Sequence, residues 1–252
     1  MNKKILAALM AVLLVLNLLG VGYTAAEETP QTLKVVTWNI RHGNDRMDEQ
    51  RAQLLELDAD ICFLQEVDEG TNRVGGLSCL DVLGGEEYSC RRFGSARRYD
   101  GGRFGTGILS RQKLTRFKSN RAGIGYTKAV WKQGERTVSI YNVHLDYEND
   151  ETRAGQIAAL AEEFFSDKNT YRIIAGDFNL KDFSELDVFG EMGMINNDLT
   201  YYPTYHGLDW DTQAIDNIIY TSDTLQPVET QMLVNDLSDH NALAVTFDFL
   251  EE

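Results

Sequence analysis

The run Arg172-Ile173-Ile174-Ala175-Gly176-Asp177-Phe178-Asn179 constrains the fold more than any other stretch of the chain. Ile173, Ile174 and Ala175 are apolar without alternation, so a strand built from them needs cover on both faces. Gly176 frees the backbone to turn just where two oxygen-rich side chains emerge. Asp177 and Asn179 stand two residues apart on an extended segment and point the same way. A carboxylate and an amide aimed together suit a cation, a water or a phosphate, although a plain turn or helix cap uses the same residues.

Other apolar runs repeat this design. Leu33 to Trp38 predicts a first strand ending at Asn39, and Ile61 to Leu64 predicts another ending at Gln65-Glu66. Gly105 to Leu109, Lys128 to Trp131 and Val138 to Val143 predict three more, the last ending at His144. Ile215 to Tyr220 predicts a strand with Asp216 near its start, and Ala242 to Phe247 a final one directly after Ser238-Asp239-His240. Between them, Asp48 to Leu57 and Thr152 to Phe165 carry apolar residues at helical spacing. Thr71 to Leu83 is weakly helical because of its glycines, and Ser184 to Met192 predicts a short helix with Ser184 as N-cap. No repeat or long linker divides the region from 33 to 250, which predicts one domain.

The ends and the charge bound the setting. Lys3 and Lys4 precede the apolar run Ile5 to Val21, and Thr24, Ala25 and Ala26 follow, the layout of a signal peptide over residues 1–26 with a linker over 27–32. The expectation is a secreted or extracytoplasmic protein; the alternative is a membrane anchor formed by an uncleaved N-terminal segment. The formal net charge of −15 repels long polyanions unless basic residues gather locally. They gather once, at Arg91, Arg92, Arg97, Arg98 and Arg103, in a stretch that reads as a loop. Cys62 reads as a buried thiol, while Cys79 and Cys90 are a candidate disulfide after export.

Asn39, Glu66, His144, Asp177, Asn179 and Asp239-His240 thus all stand at strand ends. Singly, each has an ordinary explanation as a turn residue, a solvated acid or a satisfied histidine. Their collection at one rim is how sheet enzymes assemble a site. Val36-Thr37-Trp38-Asn39-Ile40, Leu64-Gln65-Glu66-Val67, Gly105-Thr106-Gly107-Ile108-Leu109-Ser110, Asn142-Val143-His144-Leu145-Asp146, Ala175-Gly176-Asp177-Phe178-Asn179, Ile215-Asp216-Asn217-Ile218-Ile219 and Ser238-Asp239-His240-Asn241-Ala242 resemble, in order, the motifs of the endonuclease/exonuclease/phosphatase superfamily, which includes deoxyribonuclease I-like nucleases.

The resemblance implies an α/β fold, a four-layer α/β/β/α sandwich of two packed, mainly antiparallel sheets flanked by helices. It implies hydrolysis of a phosphate ester with Mg²⁺, or Mn²⁺, with Ca²⁺ also suited to hard oxygen ligands. Glu66, Asn39 and Asp239 would hold the metal. Asp177 and Asn179 would aim the attacking water, and Asp216 would orient His240 against the phosphate, with His144 facing it from the other side. Arg41, Thr204, Arg153, Arg98 and Arg103 are the expected phosphate or substrate contacts. A phosphodiesterase or nuclease is the first reading. A phosphomonoesterase acting on an inositol- or lipid-type headgroup is the second, and a non-catalytic binding module on the same fold the third. A nucleic acid or phosphorylated headgroup is the expected partner of a monomer, with no protein partner and no membrane unless the leader persists.

Overall fold

The computed structural model describes residues 32–43, 45–119, 125–198, 201–207 and 213–250. The expected signal peptide and nearly all of the linker lie outside them. Among the described residues no helix is long and apolar enough to cross a membrane.

Two six-stranded sheets form the interior. The first contains β1 (Thr32–Asn39), β2 (Ile61–Glu69), β3 (Cys90–Tyr99), β4 (Gly102–Ser110), β11 (Leu225–Leu233) and β12 (Ala242–Phe249), in the order β11-β12-β1-β2-β4-β3. The second contains β5 (Thr115–Ser119), β6 (Tyr126–Gln133), β7 (Arg136–His144), β8 (Tyr171–Asp177), β9 (Gly193–Met194) and β10 (Asp216–Tyr220), in the order β5-β6-β7-β8-β10-β9. Among the described residues β1 with β2 and β7 with β8 run parallel, and the other pairs are antiparallel.

The unbroken apolar runs arise because each inner strand feeds two cores. Val35, Phe63, Ile140, Ile173 and Ala175 pack between the sheets. Their sequence neighbours Val36, Cys62 and Leu64 face outward against helices α1 (Met47–Leu57) and α2 (Cys79–Gly84). On the second sheet, Tyr141 and Ile174 face outward against α3 (Asp150–Ser166), which presents Ile157, Leu160 and Phe164. With period two along a strand, both parities must be apolar. This is the expected α/β/β/α sandwich.

Several local expectations change. The arginine-rich stretch is not a loop but the hairpin β3–β4, turning through Asp100 (φ 43) and Gly101 (φ 84). In β3 the arginines come as the adjacent pairs Arg91-Arg92 and Arg97-Arg98, so each pair places one arginine on either face of the strand. Thr71 to Leu83 resolves into a 3-10 turn at Asn72–Val74 and the short α2. The Ser184 helix is a 3-10 helix at Phe183–Phe189, capped by Asp182 in a capping box with Glu185. Cys79 and Cys90 are free, since Cys79, the first residue of α2, packs on the outer face of the first sheet and Cys90 points between the sheets.

A buried amide pair joins the sheets. Gln65 Nε2 donates to Asn142 Oδ1 (2.7 Å), and Asn142 Nδ2 donates to the carbonyls of Leu64 (3.0 Å) and Gly107 (2.7 Å). Both side chains are fully buried. Substituting Asn142→Ala removes the donor to two buried carbonyls and leaves a cavity, so we expect a loss of about 3 kcal/mol and a fall of about 6–12 °C in Tm. Calorimetry on the variant checks it, and an unchanged Tm would deny the clamp any role.

Candidate active site

The seam between β1–β2 and β7–β8–β10 collects the polar strand ends. Glu66 reaches it because the pairing of β2 with β4 slips between Leu64 and Val67, and Glu66 adopts a left-handed backbone (φ 53). Such a bulge re-aims a side chain that regular pleating would send elsewhere. Gly176 permits the close approach of β8 to β7: a Cβ there would lie 2.2 Å from the Val143 carbonyl oxygen. Asp177 and Asn179 follow at the exit. The Asn179 N–H donates to Asp177 Oδ1 (2.9 Å), and Asn179 Nδ2 donates to the Leu145 carbonyl (2.9 Å).

Asp177 is the hub. Its Oδ2 accepts from Asn39 Nδ2 (3.0 Å) and lies 3.7 Å from His144 Nε2 and 3.8 Å from His240 Nε2. The two imidazoles therefore flank one buried carboxylate. Asp216 Oδ2 stands 2.7 Å from His240 Nδ1, fixing the ring so that Nε2 faces Asp177. The His240 carbonyl accepts from Trp38 Nε1 (2.8 Å), which ties the histidine to β1. Glu66, His144, Asp177, Asn179, Asp239 and His240 line one cavity of about 340 Å³.

Burial, and then the neighbouring Asp216 carboxylate, push Asp177 up to about 6. Burial by itself would lower His240, but Asp216, with Asp177 and Asp239 beyond it, outweighs burial and raises the imidazole to about 10. The arrangement is a buried base poised near neutrality beside a histidine that stays protonated.

Two groupings are candidates for a metal. Ligand atoms of Asp177, Asp216 and His240 lie within 4.8 Å of one another; there Asp216 Oδ2 engages His240 Nδ1 (2.7 Å), while the buried Asp216 Oδ1 has no hydrogen-bond partner. Glu66 has no cation within 4.0 Å among the described residues, accepts one long hydrogen bond from Asn39 (3.2 Å), and shares the cavity with Asp239. Hard, incompletely satisfied carboxylate oxygens at a solvent-accessible wall fit a divalent cation that keeps part of its water shell. The Glu66 and Asp239 side thus offers a second, more open seat.

Some expected residues do other work. Asn39 does not offer its oxygen: Oδ1 accepts from the Arg41 N–H (3.1 Å), while Nδ2 bridges Glu66 and Asp177. Arg41 sits at the rim, 3.7 Å from Asp239. Thr204 is fully buried, and its hydroxyl accepts from the Asp216 N–H (3.2 Å), so it braces Asp216 rather than a phosphate. Arg153 is 1% exposed and bound to Glu185 (2.7 Å), Asp150 (2.9 Å) and the Asp146 carbonyl (3.0 Å), so it holds the turn after His144 and cannot reach substrate. Arg98 and Arg103 pair across the hairpin, one step out of phase with the Arg97–Phe104 pair that faces the His144 side. Strand alternation puts them on the other face. Tyr147 and Tyr205, absent from the expected set, also line the cavity, and Tyr205 packs against the His240 ring at 5.0 Å. Their only signal was aromatic character in turns beside motif residues.

The charged His240–Asp216 pair adds stability that is fully present below the unfolded imidazole value of about 6.5 and is lost as pH rises through about 10. In metal-free protein, NMR titration should find His240 protonated well above neutrality, and Asp216→Asn should bring it down toward the ordinary range. An unshifted titration in the variant would refute the pairing.

With the geometry in view, likeness to known proteins is informative. The chain superposes on the endonuclease/exonuclease/phosphatase from Bacteroides vulgatus with a TM-score of 0.71 at 17% identity, covering 88% of this chain and 100% of that one. The humanized D. rerio TDP2 gives 0.67 at 18% identity, with 87% and 100% covered. The human Nocturnin catalytic domain with bound sulfate gives 0.66 at 17% identity, with 87% and 95% covered. These likenesses concern the fold. The sequence matches none of the curated proteins. The model of the endonuclease/exonuclease/phosphatase family matches residues 36–240, from β1 through His240. This chain therefore belongs to the endonuclease/exonuclease/phosphatase family, a family of metal-dependent phosphoric-ester hydrolases.

Proposed function

We propose that the chain is a divalent-metal-dependent phosphodiesterase, acting as a nuclease. The observation that carries this reading is the placement of Asp177 Oδ2 between the Nε2 atoms of His144 and His240. A buried carboxylate raised to about 6 is matched to taking a proton from water at neutral pH. His240, kept protonated by Asp216, places positive charge where a phosphate in the cavity gathers negative charge. His144 is 18% exposed on its side chain and stands on the opposite flank, where it can give a proton to the departing oxygen. Asn39 holds the Glu66 and Asp177 carboxylates at a fixed separation, and Asn179 walls the water site. Glu66 and Asp239 would hold Mg²⁺ or Mn²⁺, which when bound neutralises phosphate charge and acidifies water.

We also propose that residues 1–26 direct export and are removed, because two lysines precede the apolar run and small residues end it. Recovery outside the cell of a chain beginning at Glu27 tests this.

The purified protein should hydrolyse single-stranded nucleic acid or another phosphodiester in Mg²⁺ or Mn²⁺ and lose activity in EDTA. Release of inorganic phosphate as the first product would point to a monoesterase instead. Asp177→Asn should lower kcat by about 100- to 10,000-fold while metal binding persists. Glu66→Gln should chiefly raise the metal concentration needed for half-maximal rate. Equal loss of metal affinity in both variants would overturn this division of roles.

A further inference from the structure

A second cavity, of about 200 Å³, adjoins the catalytic one and shares His144 and Tyr147 with it. Nothing in the hydrolytic chemistry uses it. Its lining includes Phe104, the buried Tyr126 and the exposed Tyr147, with Arg97 and Asp146 beside them and the hydroxyls of Thr106 and Thr127 within. The floor is backbone: a Cβ on Gly94 would come within 1.9 Å of Thr127 Cγ2, so β3 can lie against β6 there only because residue 94 is glycine. The Phe104 ring stands edge-on to His144 at 6.4 Å between centroids. The Arg97 guanidinium lies 5.1 Å from the centre of Phe104 and 5.2 Å from that of Tyr99. Among the described residues no carboxylate lies within 4.0 Å of that guanidinium, so its charge is available to a ligand.

We propose that this cavity is a specificity pocket for one unstacked nucleobase, bonded through its sugar to the phosphate that Asp177 and the two histidines address. The proposal rests on the phosphodiesterase reading. The exposed Tyr147 ring and the Arg97 guanidinium can stack a planar ring, since every base has a π-face and arginine adds a cation–π contact. One free arginine is too few for a polyphosphorylated inositol, whose several phosphates need several cations. A base in this pocket has left any helical stack, so the favoured substrate is a single strand or a frayed end. The net charge of −15 agrees, because recognition by one base and one phosphate does not require a long basic track.

Two readouts on the full chain test the pocket. In EDTA, a single-stranded oligonucleotide carrying 2-aminopurine should have its fluorescence quenched on binding, and Arg97→Ala and Tyr147→Ala should each largely abolish that quenching. Both side chains are exposed, so these variants keep their fold. In Mg²⁺, replacing the base on one side of the cleaved bond by a tetrahydrofuran residue should lower kcat/KM about tenfold, as expected for the stacking of one base. The same replacement on the other side should matter little, and both variants should bring the ratio close to one. No quenching in the wild-type chain, a ratio near one, a ratio untouched by the variants, or preference for p-nitrophenyl phosphorylcholine would overturn the pocket. Quenching without hydrolysis of any diester would uphold it and defeat the phosphodiesterase reading instead.

Discussion

The site depends on holding two sheets in fixed register at the edge where they meet. Glu66, Asn39 and His240 come from the first sheet or the segments that enter it, and His144, Asp177 and Asp216 from the second. Apolar packing between sheets tolerates sliding by fractions of an ångström, because dispersion is weakly directional. Hydrogen bonds between buried amides do not. Gln65 and Asn142, immediately beside Glu66 and two residues before His144, supply that directional link. The adjacent Asn39–Asp177 and Trp38–His240 contacts extend it into the catalytic cavity.

Acidic groups concentrate at this edge, and most of their cost is met by specific partners. Asp177 and Asp216 are buried, and like charges in low dielectric oppose each other. Two imidazoles and the Asn39 amide surround Asp177, while His240 answers Asp216. Glu66 is the carboxylate left with one long hydrogen bond, and it is the one whose backbone is bent out of regular strand geometry to face the cavity. Strain at one residue and incomplete satisfaction of its side chain coincide where a cation would repay both. The distribution of stress therefore distinguishes the Asp177 wall from the Glu66 wall, although both belong to one cavity.

The sequence determined much of this because the controlling signals are local. Runs such as Ile173-Ile174-Ala175 show double-sided burial, which requires helices outside and a second sheet inside, and the motif residues fall at the ends of those runs by simple counting. The regular strands carrying His144 and Asp177 were legible for that reason, and so was the partnership of Asp216 with His240 through the family resemblance. Strand β3 was not, although the Gly105 to Leu109 part of its partner β4 was, since the arginine pairs and small residues of β3 give no apolar run and its shared faces appear only after pairing.

Tertiary structure alone decided which way each polar group points. A bulge of β2 aims Glu66, strand phase turns Arg97 toward His144 and Arg98 away, and burial commits Arg153 and Thr204 to bracing. Asn39 is an oxygen donor by residue type, yet its oxygen is taken by the Arg41 N–H and its amide bridges two carboxylates. Residue identity and spacing fix which chemistry a chain carries and at which rim it gathers. Side-chain direction depends on bulges, pairing phase and competition for partners, and these exist only once distant strands have met.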